Sequence, residues 1–165
     1  MRLTTPTPTS VADSKPGRCA SRDALRGLDL FAGLPDAELD QLAQVLELST
    51  VRPGTILETQ DVPVRHWHIV VSGHAVVERD ATPIGLLAAG DSWSEHSILN
   101  GLRSSIGVVS LSPATVLSAG RAQFFALPED HPLLAGRLVA RSASSPDRLA
   151  LPVLNALIHM ARRGA

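Results

Sequence analysis

Hydrophobic positions change their spacing twice along this chain. In DALRGLDLFAGLPDAELDQLAQVLEL, residues 23–48, Leu39, Leu42, Val45 and Leu46 fall at i, i+3, i+6 and i+7. That is the stripe of a helix with one buried face. Gly33-Leu34-Pro35 breaks the run, and Pro35 and Asp36 suit a helix start, so two short helices are predicted. From Thr50 to about Leu117 the grammar becomes that of strands: TVRPGTILET, HWHIVVSGHAVVERD, PIGLLAAGD, IGVVSL and ATVLSAG. Gly54, Gly73, Gly90 and Gly101 mark the turns. Short strands so spaced predict a β-sandwich or jelly roll. From Gly120 the pattern returns to helix, with RAQFFALPEDHPLLAGRLVARS interrupted at Pro128 and Pro132. A serine-rich break, SASSPD, precedes a last predicted helix, LPVLNALIHMARRGA, whose apolar stripe is Leu154, Leu157, Ile158 and Ala161. Pro152 suits its first turn, and Arg162 and Arg163 suit the negative end of its dipole. The expected class is mainly β with flanking helices.

Composition narrows the picture. The chain has 165 residues, enough for one domain. Fifteen basic residues stand against 16 acidic ones, a net charge of −1, which argues against a nucleic-acid binder and against an electrostatic membrane-surface protein. No apolar run approaches the ~18 residues of a spanning helix, so membrane insertion is not expected. MRLTTPTPTSVADSKPGRCASRD lacks the apolar run of a secretory signal, and its Thr, Pro and Ser content predicts a disordered lead over residues 1–21. Residues 22–141 form the predicted domain and 142–165 a helical extension. Cys19 is the one cysteine, so no internal disulfide can form, which suits a reducing, cytoplasmic setting.

Several segments, in order, carry a resemblance. LDLFAGLPDAELDQLAQVLEL is similar to the N-terminal helical bundle of the cyclic nucleotide-binding domain family. RPGTILETQD resembles its P-G-x-x-[IL]-x-x-x-G-D strand and turn, with Gln60 in place of the glycine. HWHIVVSGHAVV resembles its central hairpin, turning at Ser72-Gly73. AAGDSWSEHSIL resembles the G-D-x-F-G-E-x-[AS]-L run that opens its phosphate-binding cassette, with Trp93 in the F position. VVSLSPATVLSAGRAQFFAL resembles the closing strands and the start of the C-terminal helix. The resemblance spans roughly Leu25 to Arg141 and implies a double-stranded β-helix, or jelly roll.

It also implies a site. A cyclic phosphate needs main-chain N–H groups to cradle the anion, a guanidinium that matches two phosphate oxygens, and an acceptor for the ribose hydroxyl. Glu95 takes the position of the ribose acceptor, or is simply a favourable charge at the start of a short helix over Glu95–Leu99. Ser94 replaces the preceding glycine and reads either as a helix N-cap or as a hydroxyl donor to phosphate. The N–H groups from Ser94 through His96 to Ser97 would cradle the anion. Two registers compete for the arginine. In one, Arg103 is the phosphate arginine, with Ser105 in the alanine position of P-R-x-A-T. In the other, preferred because it needs no deletion and sets Val108, Val109, Leu111 and Val116 on the core pattern, the arginine position falls on Ser104 and the guanidinium is missing. The tentative nucleotide-binding set is therefore Glu95, Arg103, Ser104, Ser94, Ser105 and His96.

Other chemistry is weaker. His66 and His68 share a strand face beside His74, but Glu78 stands too late for the ligand set of a metal-binding jelly roll. The two imidazoles are expected to be partly exposed beside an inward Trp67. No nucleophile triad, P-loop or G-x-G-x-x-G occurs, so no enzyme is expected. Trp67, Trp93, Phe124 and Phe125 read as core aromatics, or one of them as part of a partner-facing patch. The expectation is a stand-alone regulatory or interaction module without an output domain, its nucleotide site weakened or lost, meeting another protein or a twin through Leu154, Leu157 and Ile158. No cofactor is expected beyond a cAMP or cGMP ligand. The alternatives are a working cAMP or cGMP receptor and, third, a small metal-dependent jelly-roll enzyme.

Overall fold

A computed structural model describes residues 9–10 and 17–148. The predicted last helix, with Leu154, Leu157 and Ile158, lies outside the described residues. Strands β1 (Thr9–Ser10) and β2 (Arg18–Cys19) precede helices α1 (Arg22–Arg26) and α2 (Asp36–Val45). Then follow β3 (Glu47–Val51), β4 (Thr55–Glu58), β5 (His66–Ser72), β6 (Ala75–Arg79), β7 (Thr82–Leu87), β8 (Ser92–Trp93), helix α3 (Glu95–Asn100), β9 (Gly107–Ser110) and β10 (Ala114–Gly120). Helices α4 (Arg121–Asp130) and α5 (Pro132–Ser144) come next, with a short 3-10 turn at Pro146–Arg148.

The strands form two five-stranded sheets, ordered β1-β4-β9-β6-β7 and β2-β3-β10-β5-β8. Two apolar clusters explain the stacking. Val51, Val70, Ala75, Val77, Trp93, Ile106, Val108 and Val116 fill the space between the sheets. Trp67, Ile69, Leu117 and Ala119 pack with Leu25, Phe31, Leu39, Leu42, Phe124 and Leu134 of the helical layer. Strand β5 is thus covered on both faces, Trp67 and Ile69 toward the helices and Val70 toward the roll interior. This is why it reads as a near-continuous apolar run.

Four sequence expectations need correction. Arg18–Cys19 pairs with β3 and Thr9–Ser10 with β4, so those residues of the lead are strands. Val45 is half exposed, because α2 turns its buried stripe to Leu39, Leu42 and Leu46. Leu111 is exposed, since alternation along β9 sends Val108 and Ser110 inward. Pro128 does not interrupt the helix: it sits inside α4, and His131 N still donates to Leu127 O at 2.9 Å to close the last turn. A proline there forfeits one N–H near a terminus, a smaller loss than in mid-helix.

Gly54, Gly73, Gly90 and Gly101 all have positive φ, as turns require. Gly73 has a second constraint: a Cβ there would lie 2.8 Å from Ala114 Cα and collide with Pro113 O. Gly73→Ala is expected to destabilise the fold by about 2–4 kcal/mol, from left-handed strain plus the collision. Gly54→Ala, where nothing lies within 4 Å, should cost only about 1–2 kcal/mol. Urea unfolding of both variants checks the order, and equal losses would contradict it.

Candidate functional site

The cassette begins where β8 ends. Ser94 has φ 75° and ψ 3°, a left-handed conformation that glycine adopts without cost. Its side chain does not cap α3, which corrects the N-cap expectation; Ser94 Oγ instead donates to Glu58 Oε2 at 2.9 Å. The left-handed turn aims the next residue inward, and Glu95 is fully buried. Its two carboxyl oxygens have separate donors: Trp67 Nε1 donates to Oε1 at 2.9 Å and Ser145 Oγ to Oε2 at 2.8 Å. A buried carboxyl group without such donors would cost several kcal/mol.

Ser145 belongs to the turn after α5, and the same turn closes the rest of the cassette. Ser97 N donates to Asp147 Oδ2 at 2.8 Å. Ser105 Oγ donates to Asp147 O at 2.5 Å, and Ser145 Oγ also contacts Asp147 Oδ1. Ser94, Glu95, Ser97, Ser104, Ser145 and Asp147 are all buried. Arg141 holds the end of α5 in place, Nη1 donating to Gly90 O at 3.0 Å and to Ser92 Oγ at 2.9 Å.

The two candidate registers for the arginine have distinct geometries. The 102–104 segment pairs with 61–64: Ser104 N donates to Val62 O at 2.9 Å and Asp61 N to Ser104 O at 2.8 Å. Arg103 is exposed, and its Nη1 donates to Asp61 O at 2.7 Å, away from Glu95. Ser104 faces inward and closes on its own loop, Oγ donating to Ile106 O at 2.9 Å. His96 stays on the outer side of α3, with Asn100 Nδ2 donating to its carbonyl oxygen at 2.7 Å. Glu95 and Ser105 are therefore joined through the Ser145–Asp147 turn, whereas Ser94 bonds to Glu58, Ser104 to Ile106, Arg103 to Asp61 and the His96 carbonyl to Asn100.

Sequence reasoning missed Trp67, Ser145, Asp147, Glu58 and Arg79. The available signal was the SSPD tetrapeptide, where a proline fixes a turn between a hydroxyl and a carboxylate. Arg79 is inward-facing like Ala75 and Val77 on β6; its Nε donates to Ser105 O at 3.2 Å, and its Nη2 is buried without a partner among the described residues.

Inside the roll, burial pushes the Glu58 carboxyl up to about 7, against the pull of the Ser94 hydroxyl and the Trp93 indole. The Trp93 Nε1–H itself reaches no acceptor among the described residues. His68, expected to be partly exposed, is buried, because β5 has no solvent face there. Its ring stacks on Trp93 with centroids 4.8 Å apart, and its Nδ1 lies 2.7 Å from Ser118 Oγ. Burial holds it neutral, with a pKa pushed down to about 3. Among the described residues, no three His, Cys, Asp or Glu side chains come together as a metal set. No helix among them is long and apolar enough to cross a membrane.

Two sheets in a roll, a left-handed turn, an inward glutamate and a short helix define a jelly roll with flanking helices. The profile of the cyclic nucleotide-binding domain matches residues 48–131, and the chain belongs to that family. Its fold is similar to the catabolite activator protein of Thermus thermophilus, with a TM-score of 0.63 and 23% identity over 82% of this chain and 62% of that one. It is also similar to the regulatory domain of Toxoplasma gondii PKA, crystallised with cAMP: TM-score 0.63 and 19% identity, over 74% of this chain and 48% of that one. In sequence it is 28% identical over 124 residues to an uncharacterized NTE family protein of Mycobacterium tuberculosis. That match covers 74% of this chain but only 21% of the relative's length.

Glu58 yields a pH prediction. Its folded-state value lies above the ordinary 4.5, so between about pH 4.5 and 7 the folded chain binds more protons than the unfolded one. The stability that neutral Glu58 contributes is complete below that window and lost as pH rises through it. Glu58→Gln keeps the shape and cannot ionise. Its Tm relative to the parent chain is expected to climb across that window, while the opposite-signed His68 effect is common to both. Parallel Tm-against-pH curves would contradict this.

Proposed function

We propose that this domain is a regulatory module of the cyclic nucleotide-binding family whose cassette no longer grips a cyclic nucleotide tightly. Its output passes through contact with another chain, either a different protein or a second copy of itself. The supporting observation is the pair Arg103 and Ser104: the guanidinium is spent on Asp61 O at the surface, and the residue facing the hollow is a serine folded onto Ile106 O. A charge-assisted hydrogen bond contributes about 1.5–3 kcal/mol, so a cassette without one forfeits about tenfold to a hundredfold in affinity. The role is binding and signalling, not catalysis.

One observation favours the second reading, a working cAMP or cGMP receptor. Ser94 keeps the left-handed backbone, and Glu95 still faces inward. This main-chain geometry suits an anion such as a cyclic phosphate.

Calorimetry with cAMP and cGMP tests the two readings. The parent chain is expected to bind neither in the micromolar range, Arg103→Ala to change nothing, and Ser104→Arg to raise affinity about tenfold to a hundredfold. Micromolar binding by the parent chain, abolished in both Glu95→Ala and Arg103→Ala, would establish the receptor instead.

A further inference from the structure

We infer that the cassette has a ligand of its own: the Ser145–Asp147 turn is an internal surrogate that occupies the hollow with a hydroxyl and a carboxylate. The inference deepens the functional reading above and rests on it for the identity of the hollow. Two polar contacts, made by residues two positions apart in sequence, carry it. Ser145 Oγ donates to Glu95 Oε2 at 2.8 Å, as a sugar hydroxyl would. Asp147 Oδ2 accepts from Ser97 N at 2.8 Å, as an anionic phosphate oxygen would. Both contacts are buried, and both join residues 50 positions apart in sequence, so they are not by-products of local chain geometry.

Two further features make the turn a closure rather than a chance contact. Ser105 Oγ, from the loop on the other side of the hollow, donates to the Asp147 main-chain oxygen, so the turn is gripped from two elements. The turn also follows directly on α5, which Arg141 fastens to Gly90 and Ser92 and which Arg137, midway along it, fastens by Nη1 donating to Leu30 O at 2.8 Å. Filling the hollow therefore fixes the end of α5 against the roll with no small molecule bound. An incoming cyclic nucleotide has to displace Asp147 from Ser97 and Ser145 from Glu95 before it can make the same contacts. The default state of the domain is closed, and opening means withdrawal of this turn.

Amide exchange followed by NMR on the full chain tests this without any added ligand. In Asp147→Ala the Ser97 amide is expected to exchange about tenfold faster or more, while Ile69 and Val70 in β5 keep their protection. Unchanged protection at Ser97 would overturn the inference. Should Asp147→Ala lose β5 protection as well, Asp147→Leu, similar in shape but without an acceptor oxygen, decides: faster exchange at Ser97 alone supports the surrogate, and unchanged exchange overturns it. A cAMP titration adds an independent arm, in which Asp147→Ala is expected to bind about tenfold more tightly than the parent chain. Tight binding by the parent chain would refute the weakened site, whereas the Ser97 amide speaks to the surrogate alone.

Discussion

The two hydrogen bonds to the Glu95 carboxyl group organise this structure. Glu95 is fully buried, and a carboxyl group without water must find donors inside the protein. One donor, the Trp67 indole, is fixed by β5 in the layer between sheet and helices. The other, Ser145, arrives only after the chain has completed the roll and both C-terminal helices. Satisfying one side chain thus ties the first half of the roll to the end of the described chain. It also brings Asp147 to the Ser97 N–H and the Ser105 hydroxyl.

A second carboxyl group, Glu58, is partly buried beside the same turn. At Glu58 burial outweighs the pull of the Ser94 hydroxyl and the Trp93 indole, so it holds its proton up to about 7. Ser94 links the two groups: its left-handed backbone turns Glu95 toward the helices, while its hydroxyl reaches back to Glu58. The positive φ that glycine would adopt freely costs about 1 kcal/mol in serine. The hydroxyl contact offsets some of that strain.

Local chemistry was legible in the sequence. The turn glycines, the change from helical to strand spacing and the position of Glu95 after Gly90-Asp91 depend on neighbours within a few residues. Residues whose environment is set by distant layers were not. His68 reads as half exposed by alternation, yet Trp93 of the neighbouring strand β8 stacks on it and it is buried. Leu111 and Val45 read as core, yet each is about half exposed. Arg18–Cys19 reads as part of a featureless lead, yet it completes an edge beside β3. The Ser145–Asp147 closure was the least accessible, since SSPD looks like an ordinary break until the fold brings it to a helix 50 residues earlier in the chain. Family resemblance could single out Glu95 but not the donors it meets.

A crystal structure of the full chain grown in millimolar cAMP tests most directly whether the hollow is satisfied from within. The expected electron density shows Glu95 still between Trp67 and Ser145, Asp147 on the Ser97 N–H, and no nucleotide in the hollow. Density for a cyclic phosphate on the Ser97 N–H, with residues 145–148 displaced, would contradict it.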